Sequence, residues 1–280
     1  MKVFMLWDME GISGLERRTQ AWFWDKDATE EDGRQGAELL MADINSASAA
    51  ALEAGVDELI VCDTHHGGGN IILDRMLQDP MITYLTTSRG EQNGVFRWMP
   101  GLDETVDGFM VPGHHAKAGT KDAFLPHTQS LAWEDFRING QSVGEMGIEA
   151  CFAGHWGVPV AMMQGDESAC REAREQFPGI VTAQVKRATG RETCAGPGVQ
   201  KARRLTAAAV TQAIEKLRAG ECRPYAPSLP MQVEAVFYSV EEAEKYASRP
   251  GIQRVDSRTL RAELARRCDV EKWLTGTGIP

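Results

Sequence analysis

The first fourteen residues constrain the rest of the chain most strongly. An unbroken apolar run, Val3-Phe4-Met5-Leu6-Trp7, stops at Asp8-Met9-Glu10 and then at Gly11-Ile12-Ser13-Gly14. Five apolar residues without alternation predict a strand covered on both faces, as inside a parallel sheet, and the glycines mark its end. Side chains two apart on an extended chain point the same way, so Asp8 and Glu10 project together beyond the strand's carboxyl end. Two carboxylates so placed repel unless a cation lies between them. The plain alternative is that Asp8 caps the following turn and Glu10 is solvated.

The pattern recurs twice. Glu58-Leu59-Ile60-Val61-Cys62 ends in Asp63-Thr64-His65-His66 and three glycines, and Gly108-Phe109-Met110-Val111-Pro112 ends in Gly113-His114-His115. Parallel strands separated by helices open on one side, so these strands deliver acids and imidazoles to a common crevice. A fourth strand, 158–164, leads through Gly165-Asp166 into a helix over 167–176, with Asp166 placed as its N-cap. The predicted fold is α/β, a mostly parallel central sheet with helices on both faces, plus a smaller C-terminal α/β part.

Between these strands a long helix is predicted over 30–54, opened by the capping pair Thr29 and Asp32 and stopped by Gly55. Before it, Trp22-Phe23-Trp24 sits in a polar stretch, as part of a pocket wall or as packing over the domain edge. Residues 71–97 read as a helix, a short strand near 81–86 and a turn-rich stretch. A small-residue loop over 116–126 delivers His127. An apolar helix over 142–152 carries Glu145 in its first turn, where a carboxylate also suits the helix dipole. After a strand over 180–186, the Gly/Pro-rich break at 190–198 separates a metal-binding catalytic domain, 1–195, from a smaller α/β domain, 196–280. The second part reads as a helix over 199–219, a Pro-rich linker, a strand over 231–238 and helices over 240–247 and 258–273.

Forty acidic against thirty basic residues in 280 give a formal net charge of −10, which argues against nucleic acid or an anionic membrane as partner. No apolar stretch matches a bilayer span, and the first ten residues lack the features of a signal peptide, so a cytoplasmic protein is expected. The six cysteines form no C-x-x-C pair and read as reduced thiols. Gly67-Gly68-Gly69 has neither phosphate-loop nor dinucleotide spacing, so no nucleotide cofactor is indicated.

Asp8, Glu10, His65, His115 and Glu145 make a mixed oxygen and nitrogen ligand set without thiolate, suited to zinc, manganese, cobalt or iron(II). Three carboxylates and two imidazoles suit two divalent ions about 3.5–4 Å apart with one carboxylate bridging, a site that brings a bound water's pKa from roughly 15.7 toward about 7. Neighbours on an extended chain point apart, so only one member of each pair, His65-His66 and His114-His115, faces the ions. His127 has no metal-like neighbour and is free for proton transfer or transition-state support. His155, beside Trp156, reads as structural.

These motifs resemble the family of zinc-dependent D-aminopeptidases of the DppA type, encoded in some bacteria with dipeptide-transport genes. The likeness covers most of the first 205 residues. It is carried by Asp8-Met9-Glu10-Gly11-Ile12-Ser13-Gly14, Asp63-Thr64-His65, Gly113-His114-His115-Ala116, Pro126-His127, Val143-Gly144-Glu145-Met146-Gly147 and the run from Ala161 to Asp166. The resemblance implies a two-zinc centre on Asp8, Glu10, His65, His115 and Glu145, with His127 as catalytic histidine. It also implies a self-compartmentalising homo-oligomer, a decameric ring, acting on short peptides or amino acid amides. Trp22-Phe23-Trp24 and the double histidine depart from the family pattern and bear on substrate choice rather than on the metal site. The expected activity is hydrolysis of the N-terminal amide bond of peptides containing D-residues. The alternatives are another dinuclear amidohydrolase acting on L-peptides or small amides, and a non-enzymatic peptide-binding protein.

Overall fold

The computed structural model describes residues 1–86 and 99–270. From the amino end come β1 (Lys2–Trp7), the single-turn helix α1 (Arg18–Ala21), the long helix α2 (Glu30–Glu53), β2 (Glu58–Asp63), β3 (Ile82–Thr86) and β4 (Gly108–Val111). Next are β5 (Trp133–Ile138), β6 (Gln141–Ser142), α3 (Glu145–Ala153), β7 (Val160–Asp166), α4 (Glu167–Gln176), β8 (Val181–Gly190) and β9 (Thr193–Ala195). Then follow α5 (Val199–Arg218), β10 (Met231–Phe237), α6 (Val240–Ala247), β11 (Gln253–Arg254) and β12 (Thr259–Leu264).

A seven-stranded sheet in the order β3-β2-β1-β4-β7-β8-β9 is parallel except for its last pair. β1 lies third in that order and is buried from Val3 to Trp7, as its unbroken apolar run predicts. Val3, Met5 and Trp7 pack with Leu40 and Ile44 of α2 and Val210 and Ile214 of α5. Phe4 and Leu6 enter the opposite core with Ile148 and Phe152 of α3 and Phe136 and Phe237 of the second sheet. That second sheet, β11-β12-β10-β5-β6, is antiparallel. The fold is α/β with a smaller antiparallel part.

The capping pair behaves as expected: Thr29 Oγ1 accepts from Asp32 N, and Asp32 Oδ2 accepts from Thr29 N. Asp166 caps α4 through Ala169 N. Several expectations need correction. The helix read after residue 71 is one 3-10 turn, Leu73–Arg75. There Asn45 of α2 satisfies the backbone instead, accepting from Leu77 N and donating to Arg75 O. The turn-rich stretch expected up to residue 97 falls on 87–98, outside the described residues. The helix read over 258–273 begins instead as β12, because Leu260 and Ala262 alternate inward against β10 while Glu263 faces out; Trp273 lies outside the described residues. β5 was not foreseen at all. With respect to the expected division at 195/196, β5 and β6 precede it and pair within the second sheet. Beyond it, α5 buries Ala202, Ala209, Val210 and Ala213 against α2 and the large sheet.

Candidate metal centre

Two glycines allow the ends of β1 and β4 to touch. A Cβ on Gly11 would lie 2.2 Å from the His114 carbonyl oxygen. The Gly11 N–H instead donates to Gly113 O at 2.6 Å, and the Asp8 N–H to Pro112 O at 3.1 Å. Those bonds set Asp8 and Glu10 beside His114 and His115. Behind the turn, Asp43 accepts from Ser13 N, from the Gln164 side chain and from Arg203, which ties α2, β7 and α5 to it. The buried Lys186 ammonium donates to Glu10 O at 2.8 Å and Leu15 O at 2.6 Å.

Three imidazoles converge here, and each has one nitrogen fixed on a backbone carbonyl. A carbonyl only accepts, so the nitrogen facing it carries hydrogen and the other faces the site. His65 Nε2 donates to Ala21 O at 2.8 Å and turns Nδ1 to Asp8 Oδ1 (2.7 Å) and Glu10 Oε2 (3.2 Å). His115 Nδ1 donates to Ala116 O at 3.0 Å and turns Nε2 to Asp8 Oδ2 and Glu145 Oε1, each at 3.4 Å. His127 Nδ1 donates to Leu125 O at 2.9 Å, leaving Nε2 3.5 Å from Glu145 Oε1. The His127 ring lies flat on His115, centroids 3.9 Å apart.

Two groups result: Asp8, Glu10 and His65, and His115, His127 and Glu145. Within each, the potential ligand atoms lie within 4.8 Å of one another. Asp8 joins them, with one oxygen toward each. All six residues named from the sequence therefore meet. Glu145 does not cap its helix; its Oε1 accepts from Gln129 N at 2.7 Å and faces His115. His114 turns away from the cluster to the fully buried Glu149 at 2.6 Å, which leaves His115 as the inward member of that pair. Sequence reasoning missed Glu149, whose one signal is an acid on an otherwise apolar helix turn. It also left open Trp22, whose indole N–H donates to Glu10 Oε1 at 2.7 Å. His155 packs on Trp156, consistent with a structural role.

Charge and burial compete throughout. Burial pulls His65 and His115 down, but the facing carboxylates outweigh it and hold both well above the usual imidazole range. Burial likewise raises Glu10 and Glu145, yet the imidazoles win, leaving Glu10 well below its ordinary range and Glu145 at about 2. Among the described residues, Glu10 Oε2 and His115 Nε2 are buried without a hydrogen-bond partner. Buried carboxylates facing imidazole nitrogens, with polar atoms left unsatisfied between them, make a donor set of the kind a divalent cation takes once it displaces the imidazole protons, so these residues fit one.

An α/β sheet whose strand ends present two adjoining carboxylate and imidazole triads has the make-up of a metallohydrolase. The chain belongs to peptidase family M55, the D-aminopeptidases, whose family model matches residues 1–275. It is 33% identical over 207 residues to the D-aminopeptidase of Bacillus subtilis (strain 168), spanning 73% of this chain and 70% of that relative. A solved structure, the Zn-dependent D-aminopeptidase DppA from Bacillus subtilis, described as a self-compartmentalizing protease, matches with a TM-score of 0.87. The identity is 27%, covering 98% of this chain and 95% of that one. This chain is accordingly an enzyme, a hydrolase acting on peptide bonds.

Proposed function

We propose that the protein is a zinc aminopeptidase that releases the amino-terminal D-residue from short peptides or amino acid amides at a dinuclear centre. The observation that carries this reading is Asp8 joining two triads whose imidazoles each hold one nitrogen on a backbone carbonyl and turn the other toward the carboxylates. Asp8, Glu10 and His65 would hold one ion, His115 and Glu145 the other, with Asp8 between. When bound, the ions supply Lewis acidity and lower the pKa of water.

The remaining chemistry belongs to the side chains. His127 has the most exposed of the three imidazoles, and its Nδ1 is committed to Leu125 O, so Nε2 is the atom that exchanges protons. Neutral, it takes a proton from the attacking water; protonated, it returns that proton to the departing amine. The carboxylates provide counter-charge for a substrate ammonium, which accounts for attack at the amino-terminal bond. The relative described as self-compartmentalizing supports a closed homo-oligomer here, which we take to be a decameric ring.

The test is hydrolysis of paired D- and L-aminoacyl amides and dipeptides by chelator-stripped and zinc-reconstituted protein. Zinc-dependent cleavage of the D-series supports the reading. Cleavage confined to the L-series, or activity untouched by the chelator, overturns it.

A further inference from the structure

The stretch Trp22-Phe23-Trp24 borders the site and supplies none of its metal ligands. Trp22 is buried, with its N–H on Glu10 and its ring edge-on to His127 at 5.7 Å. Trp24 turns outward and is 46% exposed. Its indole lies flat on the His66 ring, centroids 3.7 Å apart and planes 9° from parallel. Phe23 closes the group edge-on, 5.2 Å from Trp24 and 5.6 Å from His66. The same Trp24 ring is 5.7 Å from His65, whose other nitrogen faces Asp8 and Glu10.

His66 reaches this stack from a left-handed backbone with φ of 50°, a conformation that a residue with a β-carbon keeps only where its surroundings impose it. The three rings thus form a braced unit, with one large apolar face left to solvent beside the catalytic groups. Covering such a face with apolar surface is favourable, and an aromatic guest adds ring-ring attraction.

We infer that Trp24, braced by His66 and Phe23, is a specificity wall for the side chain of the substrate's amino-terminal residue, selecting large apolar and aromatic side chains over small ones. This rests on the aminopeptidase reading, which brings that residue to the centre beside His65.

The test compares wild type, Trp24→Ala and Trp24→Phe, all zinc-loaded. Calorimetry measures the affinity for free D-phenylalanine and D-alanine, and kcat/KM is measured on the two corresponding amides. The wild type is expected to favour the phenylalanyl ligand by about tenfold or more, the scale of discrimination that apolar pockets reach. Trp24→Ala should remove most of that preference and Trp24→Phe keep much of it, with zinc content and oligomeric state unchanged. Three results would overturn the inference. These are a wild-type ratio retained in Trp24→Ala, no measurable binding of either amino acid to the wild type, or loss of assembly in Trp24→Ala, which would make Trp24 a subunit contact. If the binding ratio shifts as expected while neither amide is hydrolysed, the wall stands and the aminopeptidase reading fails.

Discussion

Gly113 and Asp8 meet backbone to backbone: a Cβ on Gly113 would lie 2.1 Å from the Asp8 carbonyl oxygen, and Gly113 holds a φ of +80°. This contact brings the end of β1, with its carboxylates, to the end of β4, with its imidazoles. Gly113→Ala is therefore expected to destabilise the protein by at least the roughly 1–3 kcal/mol of a forced left-handed residue. It should also part Asp8 from His115. Chemical denaturation together with zinc titration checks this, and a variant matching wild type in both would mean that the two strand ends need not touch.

Lys186 is a buried cation whose hydrogen bonds go to two backbone oxygens, those of Glu10 and Leu15. Its ammonium also lies over the Phe124 ring, with Nζ 5.0 Å from the ring centre. Lys186→Met keeps the volume but strands Glu10 O, at about 1–3 kcal/mol for a buried group left unpaired, and leaves Leu15 O only the weak Cys194 thiol donor. The expected result is a lower unfolding midpoint and weaker zinc binding, since Glu10 rides on that loop. Unchanged zinc affinity would confine Lys186 to the core.

Without zinc the site is a set of paired charges, and this fixes its pH behaviour. His65 and His115 are held above the ordinary 6.5, so their contribution to stability is fully present below that value and is lost as pH rises through the folded-state pKa. Glu10 and Glu145 are held below the ordinary 4.5, so theirs is present above it and lost as pH falls through the folded values. The zinc-free protein should thus be most stable between about pH 4.5 and 6.5. Zinc uptake near neutrality should release protons, because the ion replaces them on the imidazoles. Calorimetry in two buffers of different ionisation enthalpy measures that release. Binding with no proton released would contradict protonated His65 and His115 in the zinc-free protein.

His127→Ala separates proton transfer from metal holding. Because Asp8, Glu10, His65, His115 and Glu145 remain, zinc content should persist while turnover falls about a hundredfold or more. Loss of one zinc per chain would make His127 a ligand of the ion held by His115 and Glu145. Wild-type turnover would remove it from the chemistry.

The parallel strands were legible because burial on both faces leaves an unbroken apolar record, as in Val3 to Trp7 and Leu59 to Cys62. Their polar ends announced the site. β5 escaped notice because WEDFRI faces solvent on one side and carries charge there, and β12 was misread because its short alternation is also compatible with a helical stripe. His115 could not be chosen over His114 from spacing alone. That choice depends on Glu149, which lies far along the chain and meets His114 only in the fold. Trp22 is likewise explained by a tertiary hydrogen bond that no local pattern encodes.

Zinc counting addresses the shared centre most directly. Elemental analysis of the reconstituted protein, with Asp8→Ala beside it, should give two zinc ions per wild-type chain and a marked loss in the variant. A wild-type chain that takes up no zinc, or an Asp8→Ala chain that keeps both ions, would contradict a centre built across these two triads.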